Sequence, residues 1–188
     1  MIMSMYKKVC ITNRKLVAGD YFSQIEKVAM SDVDLIIVRE KDLSAAEYEA
    51  LARRVVAICE KHQKLCVLHS FVDVAIRLQH PFIHLPMEAF RNLPEEKRLY
   101  FQIIGVSAHT LEEALEAQRL GAGYVTVSPI YATECKPGCA PKGLDFLRQI
   151  VQTVDIDVYA LGGIHPAQIP ACIEAGADGV CMMSEYAR

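Results

Sequence analysis

Eight short apolar runs rich in Val, Ile and Leu recur along the chain, at residues 9–12, 35–38, 65–68, 82–85, 101–106, 124–127, 158–161 and 179–182. They are too continuous for strands with one wet face. Runs of this kind read as strands buried on both sides, which occur in parallel sheets covered by helices.

The stretches between the runs read as helices. Residues 44–61 gather Ala46, Ala50, Leu51, Val55 and Ile58 toward one face and Glu47, Glu49, Arg53, Arg54 and Glu60 elsewhere. Thr110-Leu111-Glu112-Glu113 has the form of a capping box, so a helix is expected from there to about Leu120, where Gly121 stops it. Pro166 suits the first turn of a helix ending near Ala175.

Strand and helix alternating eight times predict an α/β fold, a compact (β/α)8 barrel formed by residues 1–188 as a single domain. An open doubly wound sheet is the runner-up, with the same local pattern but usually fewer strands. Only Ser184-Glu185-Tyr186-Ala187-Arg188 follows the eighth run, so the last helix is expected to be missing or a stub. A second subunit, giving a homodimer, or the Met-rich residues 1–8 are expected to cover the gap.

Composition narrows the partners. A formal charge of −3 offers no basic field for nucleic acid, and no apolar run approaches the roughly 20 residues that cross a bilayer. Seven scattered cysteines fit a reducing compartment, so a cytoplasmic protein is expected, with neither nucleic acid nor membrane as partner.

In a barrel of this kind, function sits at the C-terminal ends of the strands. Arg39 and Lys41 leave the second run as two cations that can meet an anion at the barrel mouth. Gly162 and Gly163 after the seventh run and Met183 and Ser184 after the eighth occupy the usual barrel phosphate site, where backbone N–H groups approach a ligand closely. Residues 128–143 read as a lid carrying Lys136. His69, at the end of the third run, is placed to exchange protons with a substrate; His84 and His109 read as structural. The Cys135 and Cys139 spacing lacks a second ligand pair, so no metal site is expected.

These residues together resemble the thiamin phosphate synthase superfamily. Val38-Arg39-Glu40-Lys41-Asp42 is similar to its "REKD" segment, and Gly105-Val106-Ser107-Ala108-His109-Thr110 through Ala114 to its "G-x-S-x-H-[ST]-x-E-E-A". Ser128-Pro129-Ile130-Tyr131 through Lys136 and Gly143 looks like its "GPIFxTxTK…G" loop. Ala160-Leu161-Gly162-Gly163-Ile164 with Ala175-Gly176-Ala177-Asp178-Gly179 and Ser184 matches its ending. The resemblance implies a small phosphorylated thiazole as ligand, with phosphate on the backbone of Gly162, Gly163, Met183 and Ser184. It also implies pyrophosphate on Arg39, Lys41 and Lys136.

Two branches share this pattern: the synthase, which joins a pyrimidine pyrophosphate to thiazole phosphate with Mg2+, and the thiazole tautomerase (TenI), which isomerises the thiazole carboxylate phosphate without metal. Where the synthase has Asn-Asp-Arg this chain has His69-Ser70-Phe71, and where it has "HLGQxD" this chain has His84-Leu85-Pro86-Met87-Glu88-Ala89. Both aspartates that hold metal are gone, so the expectation leans to a metal-independent, TenI-like isomerase with no cofactor and His69 as base. That branch's own histidine aligns with Pro129. The alternatives are the synthase, the one reading that brings Mg2+, and a non-catalytic sensor of a phosphate ligand.

Overall fold

The computed structural model describes residues 6–133 and 138–188. Eight parallel strands close a barrel in chain order: β1 (Lys7–Ile11), β2 (Leu35–Val38), β3 (Leu65–His69), β4 (Phe82–Pro86), β5 (Ile103–Ala108), β6 (Tyr124–Val127), β7 (Asp157–Leu161) and β8 (Gly179–Met182). The barrel shuts where Val9 of β1 pairs with Cys181 of β8. Helices α1 (Tyr21–Met30), α2 (Ala45–Lys61), α3 (Val72–Arg77), α4 (Met87–Arg91) with α5 (Glu95–Tyr100), α6 (Leu111–Arg119), α7 (Gly143–Val151) and α8 (Ile169–Glu174) fill the seven crossovers.

Side chains alternate along each strand, and in this chain both sets are apolar. Cys10, Ile36, Val38, Leu68, Leu85, Val106, Val127, Ala160 and Val180 join the helices in one large core. Val9, Ile11, Leu35, Ile37, Val67, Tyr124, Tyr159 and Cys181 form a second core, which fills the barrel interior. This double burial is why the runs are continuous rather than alternating. Inside, the rings of Tyr124 and Tyr159 stack with centroids 4.8 Å apart. Gly105 makes room for them, since a Cβ there would lie 2.0 Å from Tyr124 Cζ.

The ends of the elements follow local chemistry. Ser44 and Glu47 form a complete capping box at α2. At α6 only half of the expected box is present. Thr110 accepts from the N–H of Glu113, but the Glu113 carboxylate turns back one residue further, to the N–H of His109 at 2.6 Å. Pro166 opens a 3-10 turn (Pro166–Gln168) that runs on into α8. β1 starts earlier than its apolar run because the Lys7 N–H reaches the carbonyl of Asp178, a backbone link that side chains do not signal. β5 starts later, because Phe101 caps α5 and Gln102 donates to the carbonyl of Pro81.

After β8 a single 3-10 turn (Ser184–Tyr186) stands where a last helix would be. It is tied to α1: the Gln24 amide donates to the carbonyls of Tyr186 at 2.9 Å and Arg188 at 2.7 Å, and Tyr186 packs against the core. Most of the Met-rich segment expected to cover this region, residues 1–5, lies outside the described residues. Among the described residues no helix is long and apolar enough to cross a membrane.

Candidate anion-binding site at the barrel mouth

The inward set of side chains continues past the apolar layer and turns polar. Arg39, His69, His84, Ser107, Thr126 and Ser128 each lie two residues beyond an inward position, and all line one cavity of about 760 Å³ at the C-terminal ends of the strands. Its wall also includes Lys41, His109, Thr133, Gly162, Gly163, His165, Met183, Ser184 and Arg188.

The same alternation sorts the charges after β2. Glu40 and Asp42 point away from the cavity to Arg14. Glu40, only 2% exposed, accepts from the Thr12 hydroxyl at 2.8 Å, the Arg14 N–H at 3.0 Å and the Arg14 guanidinium at 3.1 Å. Asp42 takes the same guanidinium at 2.6 and 2.7 Å, which holds its carboxyl far below the usual range. With their acidic neighbours engaged elsewhere, Arg39 and Lys41 face the cavity, and Arg39 makes no ion pair among the described residues.

Two imidazoles form the floor. His69 and His84 are opposite one another in the β3–β4 register, their rings stacked with centroids 5.4 Å apart. Burial pulls the His84 imidazole down to about 3, with Lys41 and Arg39 adding to the shift. His69 is lowered well below the ordinary range by burial, then by His84, Lys41 and Arg39. Both rings are therefore neutral at pH 7. His84 has both nitrogens engaged, Nδ1 with the Tyr124 hydroxyl at 3.1 Å and Nε2 with Ser107 Oγ at 2.8 Å. His69 has Nδ1 on Ser70 Oγ at 2.8 Å, and its Nε2 has no partner among the described residues. Its backbone N–H is held by the Tyr48 hydroxyl, which donates in turn to Val38 O, so α2 anchors the tops of β2 and β3 together.

The opposite wall is backbone. Gly162 and Gly163 have φ of +100° and +64°, a region glycine reaches without strain. They also pass close to the chain after β6: a Cβ on Gly162 would lie 2.8 Å from Pro129 Cα, and one on Gly163 2.2 Å from Ala132 O. The Ile130 and Tyr131 N–H groups donate to the carbonyls of Leu161 and Gly162, both at 3.0 Å, fixing this contact. The N–H groups of Gly163 and Ser184 have no acceptor among the described residues, and both residues line the cavity. Unpaired backbone donors beside cations suit an anion.

The expected residues Arg39, Lys41, His69, Gly162, Gly163, Met183 and Ser184 thus meet in one cavity. Lys136 lies outside the described residues. His84 and His109, read from the sequence as structural, line the cavity too, as do Ser107, Thr126 and Arg188, which the sequence reading did not single out as ligands. Their common signal is parity, each strand residue being a polar group in step with the inward set.

The donor set is also informative for metal. Mg2+ requires oxygen ligands, carboxylates above all. No Asp or Glu is among the described residues lining the cavity. Ser70 is engaged with His69, and Glu88 is exposed on α4 and does not line the cavity. These residues do not fit a Mg2+ ion held by the protein.

Comparison with known proteins agrees with this geometry. The family model described as thiamine monophosphate synthase matches residues 8–186. The thiamine-phosphate synthase of Clostridium acetobutylicum is 32% identical over 185 residues, covering 95% of this chain and 86% of that protein. That of Bacillus licheniformis is 34% identical over 176 residues, covering 91% of this chain and 79% of that protein. A solved thiamine phosphate pyrophosphorylase from Pyrococcus furiosus superposes with a TM-score of 0.83 at 27% identity, covering 96% of this chain and 86% of that one.

Proposed function

The chain belongs to the thiamine monophosphate synthase family, and from that premise we propose that it is a transferase that joins a pyrimidine pyrophosphate to a thiazole phosphate held in the barrel mouth. One observation carries the reading. The cavity brings Arg39 and Lys41 together with Gly163 and Ser184, whose backbone N–H groups have no acceptor among the described residues, and no Asp or Glu side chain is among its described lining. A phosphate ester and a pyrophosphate ester bound side by side would each meet one of these sets.

In this reading Gly162, Gly163, Met183 and Ser184 hold the thiazole phosphate, which places the ring over the His69–His84 floor. Arg39 and Lys41, with Lys136 as the family resemblance implies, hold the pyrophosphate and stabilise the negative charge that gathers on it as it leaves. The synthase reaction uses Mg2+, which would supply the same neutralisation. The described residues lining the cavity offer the ion no Asp or Glu side chain, and in this reading the protein's own cations carry that role. The relatives named as synthases favour this reaction over the isomerase that the missing aspartates first point to.

A second reading rests on His69. It is neutral, lines the cavity and leaves Nε2 unpartnered among the described residues, as a base moving a proton on a thiazole carboxylate phosphate requires. The reading includes a cytoplasmic homodimer; a monomer in sedimentation velocity at micromolar concentration would remove that part.

The deciding experiment incubates the protein with thiazole phosphate and pyrimidine pyrophosphate and follows thiamin phosphate by mass spectrometry. Product above the protein-free control supports the transferase. Conversion of the carboxylate by NMR, with no coupling product, replaces it with the isomerase. Binding without turnover of either would make the chain a sensor.

A further inference from the structure

Arg188 lies beyond every motif that brought the site to notice, yet it lines the cavity together with Gly163, His165, Met183 and Ser184. It follows directly on the 3-10 turn (Ser184–Tyr186) and its cap Ala187, whose Tyr186 and Ala187 N–H groups donate to Met183 O and Ser184 O. Its backbone is held from the other side by the Gln24 amide, which donates to Arg188 O at 2.7 Å and Tyr186 O at 2.9 Å.

Arg39 and Arg188 are the two arginines among the described residues lining the cavity. Arg14, Arg53, Arg77, Arg91 and Arg148 each pair with a carboxylate. Arg188 pairs with none among the described residues. The carboxylate nearest to it in sequence, Glu185, is engaged by His165 at 2.6 Å. That contact ties the loop after β7 to the turn after β8, the two segments that frame the phosphate wall.

We propose that Arg188 is a phosphate-binding residue of this chain, adding a cation to the backbone donors of Gly163 and Ser184, and that Gln24 is the positioning residue that holds it at the barrel mouth. The proposal rests on the assignment of that wall to the phosphate. A guanidinium donating to phosphate forms charge-assisted hydrogen bonds, which strengthen binding and make it fall with salt.

Calorimetric titration with thiazole phosphate, and with the same thiazole lacking its phosphate, separates the two claims. R188Q is expected to weaken the phosphate ester about tenfold and flatten its salt dependence, with the alcohol unchanged. R188K is expected to recover part of the loss. Q24L is expected to move affinity in the same direction as R188Q, less strongly, with the thermal midpoint recorded to show that the variant is folded. Wild-type affinity and salt dependence in R188Q would overturn the role of Arg188. If the wild-type protein itself binds the ester no better than the alcohol, the phosphate wall is wrongly assigned.

Discussion

His69 and His84 lie directly opposite one another at the tops of β3 and β4, their rings stacked 5.4 Å apart beneath two cations. Nothing in this arrangement favours a charged imidazole. Burial, Lys41 and Arg39 all hold the pair neutral.

A pH dependence of stability follows. An unfolded histidine titrates near 6.5, whereas folded His84 titrates at about 3. Between those values the unfolded chain binds the proton and the folded one does not, so stability falls as pH drops from 6.5 toward 3, by up to about 1.4 kcal/mol per unit for each such group. Thermal melts of H84Q should show a shallower decline over pH 6.5 to 4.5 than the wild type. Parallel curves would show that His84 is protonated in the folded protein.

Glu40 is expected to be structural, despite its place among the site residues. It is buried and accepts from Thr12 and Arg14. E40A leaves those donors unsatisfied and should cost roughly 2–3 kcal/mol in urea denaturation. R39Q, which removes a group with no ion pair among the described residues, should leave stability within about 0.5 kcal/mol and weaken pyrophosphate binding instead. The opposite pattern would mean that the two faces of this segment are assigned the wrong way round.

Gly105 tests the packing beneath the site. G105A would drive a methyl group into the Tyr124 ring, 2.0 Å from Cζ, and so displace the hydroxyl that holds His84. A loss of about 1–3 kcal/mol is expected, together with weaker ligand binding. Wild-type stability would mean that the ring has room to move.

Gly163 tests the phosphate wall. With φ of +64° and Ala132 O 2.2 Å from a would-be Cβ, G163A must shift the loop after β7. Phosphate-ester affinity should fall at least tenfold while far-ultraviolet circular dichroism stays native, because strain of this kind is confined to the loop. Undiminished affinity would place the phosphate elsewhere.

The barrel was legible because burial on both faces wrote its strands as unbroken apolar runs, and its helices showed in the amphipathic pattern of residues 44–61 and the cap at Thr110. Gly162 and Gly163 were legible by position, being glycines just past a buried strand. His84 was harder, since a single polar residue in an apolar run looks the same whether it is a satisfied core group or the floor of a cavity. Only its register with His69 and its contacts to Tyr124 and Ser107 separate the two. Arg188 had no pattern to betray it; its position depends on Gln24, 164 residues away in sequence. The lean toward the isomerase came from the missing aspartates and from the tautomerase-like Leu85-Pro86 and Thr133-Glu134-Cys135-Lys136 segments, whereas the relatives named as synthases favour the other branch.

The most direct test of the central claim is calorimetric titration of the protein with thiazole phosphate in EDTA and again in Mg2+. The cationic cavity, with no Asp or Glu side chain among its described lining, predicts saturable one-to-one binding in both buffers with affinities within a factor of about two. Binding that appears only with Mg2+, or no binding in either, would contradict an anion site built from the protein's own groups.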